Sequence, residues 1–170
     1  KAPAMPEDVR WHFIGHLQTN KVRQIMPHVS LIHSIDSIRL LRIVDSEAAR
    51  IGRTVDVLLQ VHVAREETKF GFTPDELLAE LPAQWQPADT SSVRVRGVMG
   101  MASLTDDNSR IAADFSEIAR VFRELREGLF AGVATFDTIS MGMSDDFGIA
   151  IDAGSTMVRI GTDIFGAREY

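Results

Sequence analysis

Ile139-Ser140-Met141-Gly142-Met143-Ser144-Asp145-Asp146 is followed, after a short amphipathic stretch, by Val158-Arg159-Ile160-Gly161-Thr162-Asp163-Ile164-Phe165-Gly166. This reads as a strand, a loop, a helix, a second strand and a glycine turn. Small hydroxyl residues and glycines stand at both strand ends. A phosphate needs several N–H and O–H donors at once, and glycine lets the backbone approach closely enough to supply them. The loops after the last two strands of a (β/α) barrel are the usual place for such a cup. Ser140, Gly161 and Thr162 are therefore the phosphate candidates, with Gly142 and Ser144 placed to shape the same cup. For Ser144 the spacing favours another role, as cap of the next helix with Asp145 and Asp146 in its first turn.

The same alternation extends back through the chain. Trp11–Gly15 and Leu31–Ile35 are short apolar strands, with a helix between them that ends near Pro27. Asp36 or Ser37 can cap a helix carrying Ile38, Leu41 and Val44 at helical spacing. Asp56–Ala64 contains the β-branched run of a strand buried on both faces. Thr73-Pro74-Asp75-Glu76 has the signature of a capped helix start. Arg94–Ala102 is the next strand, and Pro82–Ser92 before it reads as a surface excursion. Thr105–Leu129 is a long helix with Ile111, Phe115, Ile118, Ala119, Phe122 and Leu125 on one stripe. Thr138–Met143 and Met157–Ile160 are the last strands, flanking a helix near Asp145–Ala153. Strands alternating with helices imply parallel pairing and right-handed crossovers. Six β units fall short of the eight that close such a barrel, so either the sheet is an open α/β sheet or two β/α units are missing from the front.

Composition narrows the function. The chain has 170 residues, 45% hydrophobic and 25% charged, as in an ordinary globular protein. We read residues 1–170 as one partial barrel domain. A net charge of −6 argues against general affinity for nucleic acid or an anionic membrane. There is no cysteine, hence no disulfide or thiol chemistry. No apolar run reaches transmembrane length, and the opening residues lack the apolar core of a signal peptide. A cytoplasmic monomer is expected. The five histidines, His12, His16, His28, His33 and His62, show no metal-ligand spacing. Structural or barrel-lining roles fit them better, with His12 and Ile14 placed to line a pocket. Arg120, Arg123 and Arg126, interleaved with Glu117, Glu124 and Glu127, read as a solvated helix face.

Several segments fit one pattern in order: Trp11-His12-Phe13-Ile14-Gly15-His16-Leu17-Gln18-Thr19-Asn20-Lys21, His33-Ser34-Ile35-Asp36, Glu67-Thr68-Lys69-Phe70-Gly71-Phe72, Arg96-Gly97-Val98-Met99-Gly100-Met101, Ser140–Asp146 and Ala153–Thr162. From Trp11 to Tyr170 the chain resembles the pyridoxal phosphate homeostasis protein family, also described as the YggS or proline synthetase co-transcribed family. The resemblance implies a (β/α)8 TIM barrel of the alanine racemase N-terminal type, fold-type III among pyridoxal phosphate proteins, with about six of its eight units here. It implies pyridoxal 5'-phosphate (PLP) as cofactor, bound by Ser140, Arg159, Gly161 and Thr162. Arg159 would face the pyridine nitrogen and keep it unprotonated, which weakens the ring as an electron sink. The alternative for Arg159 is an outward side chain paired with a helix carboxylate. Family members carry their Schiff-base lysine in a front unit. Lys1, Lys21 and Lys69 are the lysines of this chain, and none sits in that motif. Lys21 reads as a solvated charge, and Lys69 as a partner for Glu66 or Glu67.

The function implied is PLP binding in vitamin B6 and amino-acid homeostasis, without a defined turnover and with unknown protein recipients. Racemisation needs proton donors on both faces of the cofactor. Tyr170 follows closely on the last strand, so the further domain that completes an alanine racemase is not expected. A small PLP-dependent racemase or isomerase is the alternative. A sugar-phosphate barrel enzyme, using Asp36 with Glu66 or Glu67, ranks behind both.

Overall fold

The computed structural model describes residues 5, 6, 8–64 and 70–166. Six strands form one sheet in sequence order, and every neighbouring pair is parallel. They are β1 (Trp11–Phe13), β2 (Val29–Ile35), β3 (Val55–Val61), β4 (Val93–Gly100), β5 (Thr138–Met143) and β6 (Met157–Arg159). The helices are α1 (Val22–Ile25), α2 (Ile38–Arg50), α3 (Leu81–Gln84), α4 (Asn108–Glu127), α5 (Phe147–Asp152) and α6 (Thr162–Phe165). A π-helical segment, Glu76–Glu80, leads into α3. Each strand is followed by helix and returns alongside its predecessor, so the sheet is a partial (β/α) barrel.

Local chemistry sets the helix starts. The Ser37 hydroxyl accepts the Leu40 N–H at 3.2 Å and caps α2. Thr73 and Glu76 exchange bonds as the sequence requires: Thr73 N–H donates to Glu76 Oε2 at 2.7 Å, and Glu76 N–H to Thr73 Oγ1 at 3.2 Å. Asp107 caps α4, so that helix begins three residues after Thr105. The expected stripe from Ile111 to Leu125 is buried against the sheet. On the opposite face Arg120 bridges Glu117 and Glu124, as expected of a solvated face.

Pro82–Ser92 differs from expectation. Pro82 lies inside α3, and Trp85, 1% exposed, plugs the core against Phe130. Its neighbours Ala83, Gln84 and Gln86 are exposed, so apart from Trp85 the segment does run over the surface. Asp45 of α2 anchors that return, since its Oδ1 accepts the N–H groups of Ser91, Ser92 and Val93 at 2.7–3.0 Å.

The core has two layers. The larger fills the space between sheet and helices. A small cluster of Leu31, Leu58 and Met99, flanked by Met157, lies on the other face of the sheet. The register pairs Met99 with Ser140 and Ser140 with Met157. These inner-face residues are the floor on which the site is built. Arg94 and Arg96 meet Asp56 at 2.6 and 3.0 Å toward the opposite strand ends, and Arg96 also reaches Asp137 at 3.1 Å.

Candidate functional site

A cleft of about 870 Å³ opens at the carboxyl ends of the strands. It runs between the two sheet edges, from His12 and Ile14 at β1 to Arg159, Gly161 and Thr162 at β6. His33, Met157 and the turn Met143-Ser144-Asp145 complete its wall. Carboxyl strand ends are where barrels of this kind place their ligands.

Arg159 follows Met157 by two residues on β6, so strand alternation sends it to the inner face. Its Nη1 donates to the Ser140 carbonyl at 2.8 Å and to the Ser140 hydroxyl at 3.0 Å, and its Nη2 to the Gly100 carbonyl at 3.1 Å. The outward alternative is thereby overturned. No carboxylate lies in salt-bridge contact with it among the described residues. Burial lowers its pKa to about 10, against an opposing pull from Asp146, so it stays charged at neutral pH. A guanidinium has five donors and no acceptor. Three are used here, which leaves Nε and one hydrogen on Nη2 for a ligand.

Ser140 lies deeper than expected. β5 runs on to Met143, and Ser140 is fully buried below the cleft floor. Its hydroxyl is engaged by Arg159 and by His33 Nδ1 at 3.0 Å. The hydroxyl that reaches the rim beside Gly161 and Thr162 is Ser144. Ser144 does not cap α5: the cap position is Asp146, whose Oδ1 accepts the Met143 N–H at 2.6 Å. Instead the Ser144 hydroxyl leans toward the Asp163 N–H at 3.4 Å, tying the two strand-end loops together.

Gly161 and Thr162 line the cleft just past β6. A Cβ built on Gly161 would meet nothing within 4 Å. The fold therefore does not require glycine there, and the space above it opens to the cleft. The backbone N–H groups of Gly161 and Thr162 have no acceptor among the described residues. Gly142 differs: its φ is +95°, and a Cβ would sit 2.6 Å from Ala150 Cβ. Glycine is needed there by the positive φ and by the close packing of α5 on the end of β5.

Two histidines join the site from β1 and β2. His33 Nε2 lies 3.1 Å from His12 Nδ1. Burial first, then the neighbouring His12 and Arg159, push the His33 pKa from 6.5 down to about 3. Burial and Arg10 lower that of His12 as well. The sequence expected structural or barrel-lining roles for all five histidines and named only His12 and Ile14 as pocket-lining candidates; strand registers bring His33 to the same wall. His16 is elsewhere, paired with Asp36 at 3.1 Å and stacked on Phe70. Asp36 does not line the cleft. Glu66, Glu67 and Lys69 lie outside the described residues, as does Lys1. Lys21 ends a short 3-10 helix away from the cleft.

The His33 shift has a consequence for stability. Its folded pKa lies below the unfolded value, so its contribution is fully present above pH 6.5 and is lost as pH falls toward 3. Between pH 7 and pH 4 this amounts to about 3 kcal/mol. Urea unfolding at both pH values should show H33N losing less stability than the unsubstituted protein by about that amount. Equal losses in the two proteins would show that His33 takes up a proton in the folded state.

Comparison with known proteins places this geometry in context. The chain matches the alanine racemase N-terminal domain family over residues 3–169. It is 42% identical over 169 residues to the pyridoxal phosphate homeostasis protein of Escherichia coli strain K12, covering 95% of this chain and 66% of that one. It is 39% identical to the protein of the same name from Aquifex aeolicus, covering 96% and 69%. The chain thus spans about two thirds of the length of these relatives. Among solved structures it is similar to PipY of Synechococcus elongatus PCC7942. The TM-score is 0.85 to the form without PLP and 0.82 to the form with PLP bound, both at 34% identity. Those matches cover 95% and 94% of this chain, and 73% and 71% of PipY. An alanine racemase from Clostridium difficile 630 shares the fold at 14% identity and a TM-score of 0.67, over 96% of this chain and 41% of its own. No helix among the described residues is long and apolar enough to cross a membrane.

Proposed function

The chain belongs to the pyridoxal phosphate homeostasis proteins of the alanine racemase N-terminal domain family, and from that premise we propose that its cleft binds pyridoxal 5'-phosphate as part of a cofactor-homeostasis role. The observation that carries this reading is the open, unpartnered donor set at Gly161 and Thr162 beside an inward arginine that has donors to spare. A phosphate monoester fits the first and a pyridine nitrogen the second. PipY, of similar fold and sequence, has been solved with PLP bound.

The roles divide as follows. The N–H groups of Gly161 and Thr162 and the hydroxyls of Thr162 and Ser144 hold the phosphate. Ser144 takes the part first given to Ser140, because Ser140 is buried and occupied. Arg159 donates to the ring nitrogen and keeps it unprotonated, since a guanidinium can only donate. Bound PLP supplies an electrophilic aldehyde and an electron-accepting ring. Facing an arginine, that ring withdraws electrons weakly, which suits holding the cofactor better than deprotonating an amino acid. Among the described residues no lysine lines the cleft. The weak electron demand of a ring facing Arg159 favours a carrier or buffer of PLP over a racemase.

Gly161→Ala tests the phosphate cup. The added methyl meets no protein atom within 4 Å, so the thermal midpoint should be unchanged. The same methyl occupies the space the phosphate needs, and PLP affinity should fall at least about tenfold, roughly 1.4 kcal/mol. Equilibrium titration followed by PLP absorbance measures it; unchanged affinity would place the phosphate elsewhere. The racemase alternative predicts exchange of an amino acid's α-hydrogen with deuterated solvent in the presence of PLP, and the carrier reading predicts none.

A further inference from the structure

We propose that Ser140 and His33 are positioning residues, which hold Arg159 in one orientation and, through one unbroken hydrogen-bond chain, fix His12 as the tautomer with its proton on Nε2. This rests on the reading of the cleft as a PLP site and adds to it the device that sets the cleft's donors.

The direction of every bond in the chain follows from its first member. Arg159 Nη1 can only donate, so the Ser140 oxygen accepts, at 3.0 Å. Ser140 is fully buried, and its hydroxyl hydrogen needs an acceptor. His33 Nδ1, at 3.0 Å, supplies it. A proton on His33 Nδ1 would send two donors at the serine oxygen and leave the serine hydrogen without a partner, at a cost of about 1–3 kcal/mol. His33 is therefore neutral with its hydrogen on Nε2, and its depressed pKa agrees with this. That hydrogen goes to His12 Nδ1 at 3.1 Å. A neutral His12 must then carry its own hydrogen on Nε2, the ring nitrogen that has no partner among the described residues, on a side chain that lines the cleft.

The chain crosses the sheet from β6 through β5 and β2 to β1. One edge of the cleft thus receives the remaining donors of Arg159, and the other a single N–H donor from His12. An electron-rich oxygen on the ligand fits beside His12, and a second hydrogen-bond donor does not. Besides its own members, the charged groups that act on this chain are Arg10, beside His12, and Asp146, which pulls on Arg159.

Nitrogen-15 NMR of the histidine rings, on protein without PLP at pH 7, tests the chain directly. His12 and His33, identified by the loss of their signals in H12Q and H33N, should each show the neutral pattern with the proton on Nε2. A proton on Nδ1 of either ring, or a mixture of tautomers, would overturn the proposal. Ser140→Ala should release both rings into mixed tautomers, and Ser140→Thr, which keeps the hydroxyl, should restore the single form.

Affinity provides a second arm. The Asn oxygen in H33N takes the place of Nδ1 and still accepts from Ser140, whereas H33L cannot. H33N keeps the bond from Ser140 and loses the one to His12, so PLP binding should weaken in both variants, and at least about threefold more in H33L than in H33N. Equal effects in the two variants would reduce His33 to a packing residue and sink the proposal. If the unsubstituted protein takes up no PLP, the function proposed above fails, and the NMR pattern still decides the chain.

Discussion

Gly97→Ala is expected to prevent stable folding. Gly97 stands in the middle of β4 with φ at +151°, outside the range that other residues adopt readily. A bulge lies at this point. Val57 pairs with Val95 and Leu58 with Gly97, so Arg96 is the extra residue. The bulge lets Arg96 reach Asp56, Asp137 and the Thr135 carbonyl. A Cβ on residue 97 would lie 1.8 Å from the Thr138 carbonyl oxygen and 2.7 Å from its carbon. Both are backbone atoms of the neighbouring strand, so no rotamer change relieves the clash. β4 and β5 are held by the pairs Gly97–Thr138, Val98–Ile139 and Met99–Ser140, and the substitution strikes the first of them. Separating the strands would detach β5 and β6, and with them Ser140, Arg159 and the phosphate cup. The cost should exceed about 4 kcal/mol, a large part of the stability of a typical domain. Urea unfolding followed by circular dichroism measures it. A loss below about 1 kcal/mol would mean that β4 and β5 do not approach each other in this way.

Arg159→Met should have the largest effect on ligand binding. Methionine continues the apolar inner layer begun by Met157 and carries no donors. The substitution removes the charge-assisted bond to the pyridine nitrogen and leaves that nitrogen against an apolar surface. Charge-assisted bonds contribute about 1.5–3 kcal/mol, and the stranded acceptor adds its own desolvation cost. PLP affinity should therefore fall about a hundredfold, roughly 2.7 kcal/mol. Arg159→Lys keeps the charge but not the planar fork that spans Ser140 and Gly100, so it should recover only part of the loss. Arg159→Met binding PLP within about threefold of the unsubstituted protein would remove the ring nitrogen from this arginine.

The elements whose signals are local were legible in the sequence. The Thr73–Glu76 box, the Ser37 cap and the α4 stripe depend on residues within a few positions of one another. The parallel sheet followed from strict alternation, whereas the direction of Arg159 stayed open until the structure placed Met157, two residues earlier, on the inner face. Depth along a strand was not legible. Ser140 and Ser144 are both small hydroxyl residues in one motif, and which reaches the rim depends on where β5 stops. The strand continues past Ser140 to Met143, so Ser144 emerges and Ser140 stays below. Trp85 was hidden for a related reason: its Pro- and Gln-rich neighbours look like loop, while the indole fills a gap beside Phe130 that only the folded chain creates. The chain from His12 to Arg159 joins residues up to 107 positions apart, as in the His33–Ser140 bond, and no local pattern encodes it.

In the proposed site PLP sits with its phosphate between the β5 and β6 loops and its ring nitrogen on Arg159. A crystal structure of the protein with PLP tests this placement most directly. Phosphate oxygens are expected within hydrogen-bond distance of the Gly161 and Thr162 N–H groups and the Ser144 hydroxyl, with the pyridine nitrogen facing the Arg159 guanidinium. PLP bound with its phosphate away from Gly161, or with its ring turned from Arg159, would contradict it.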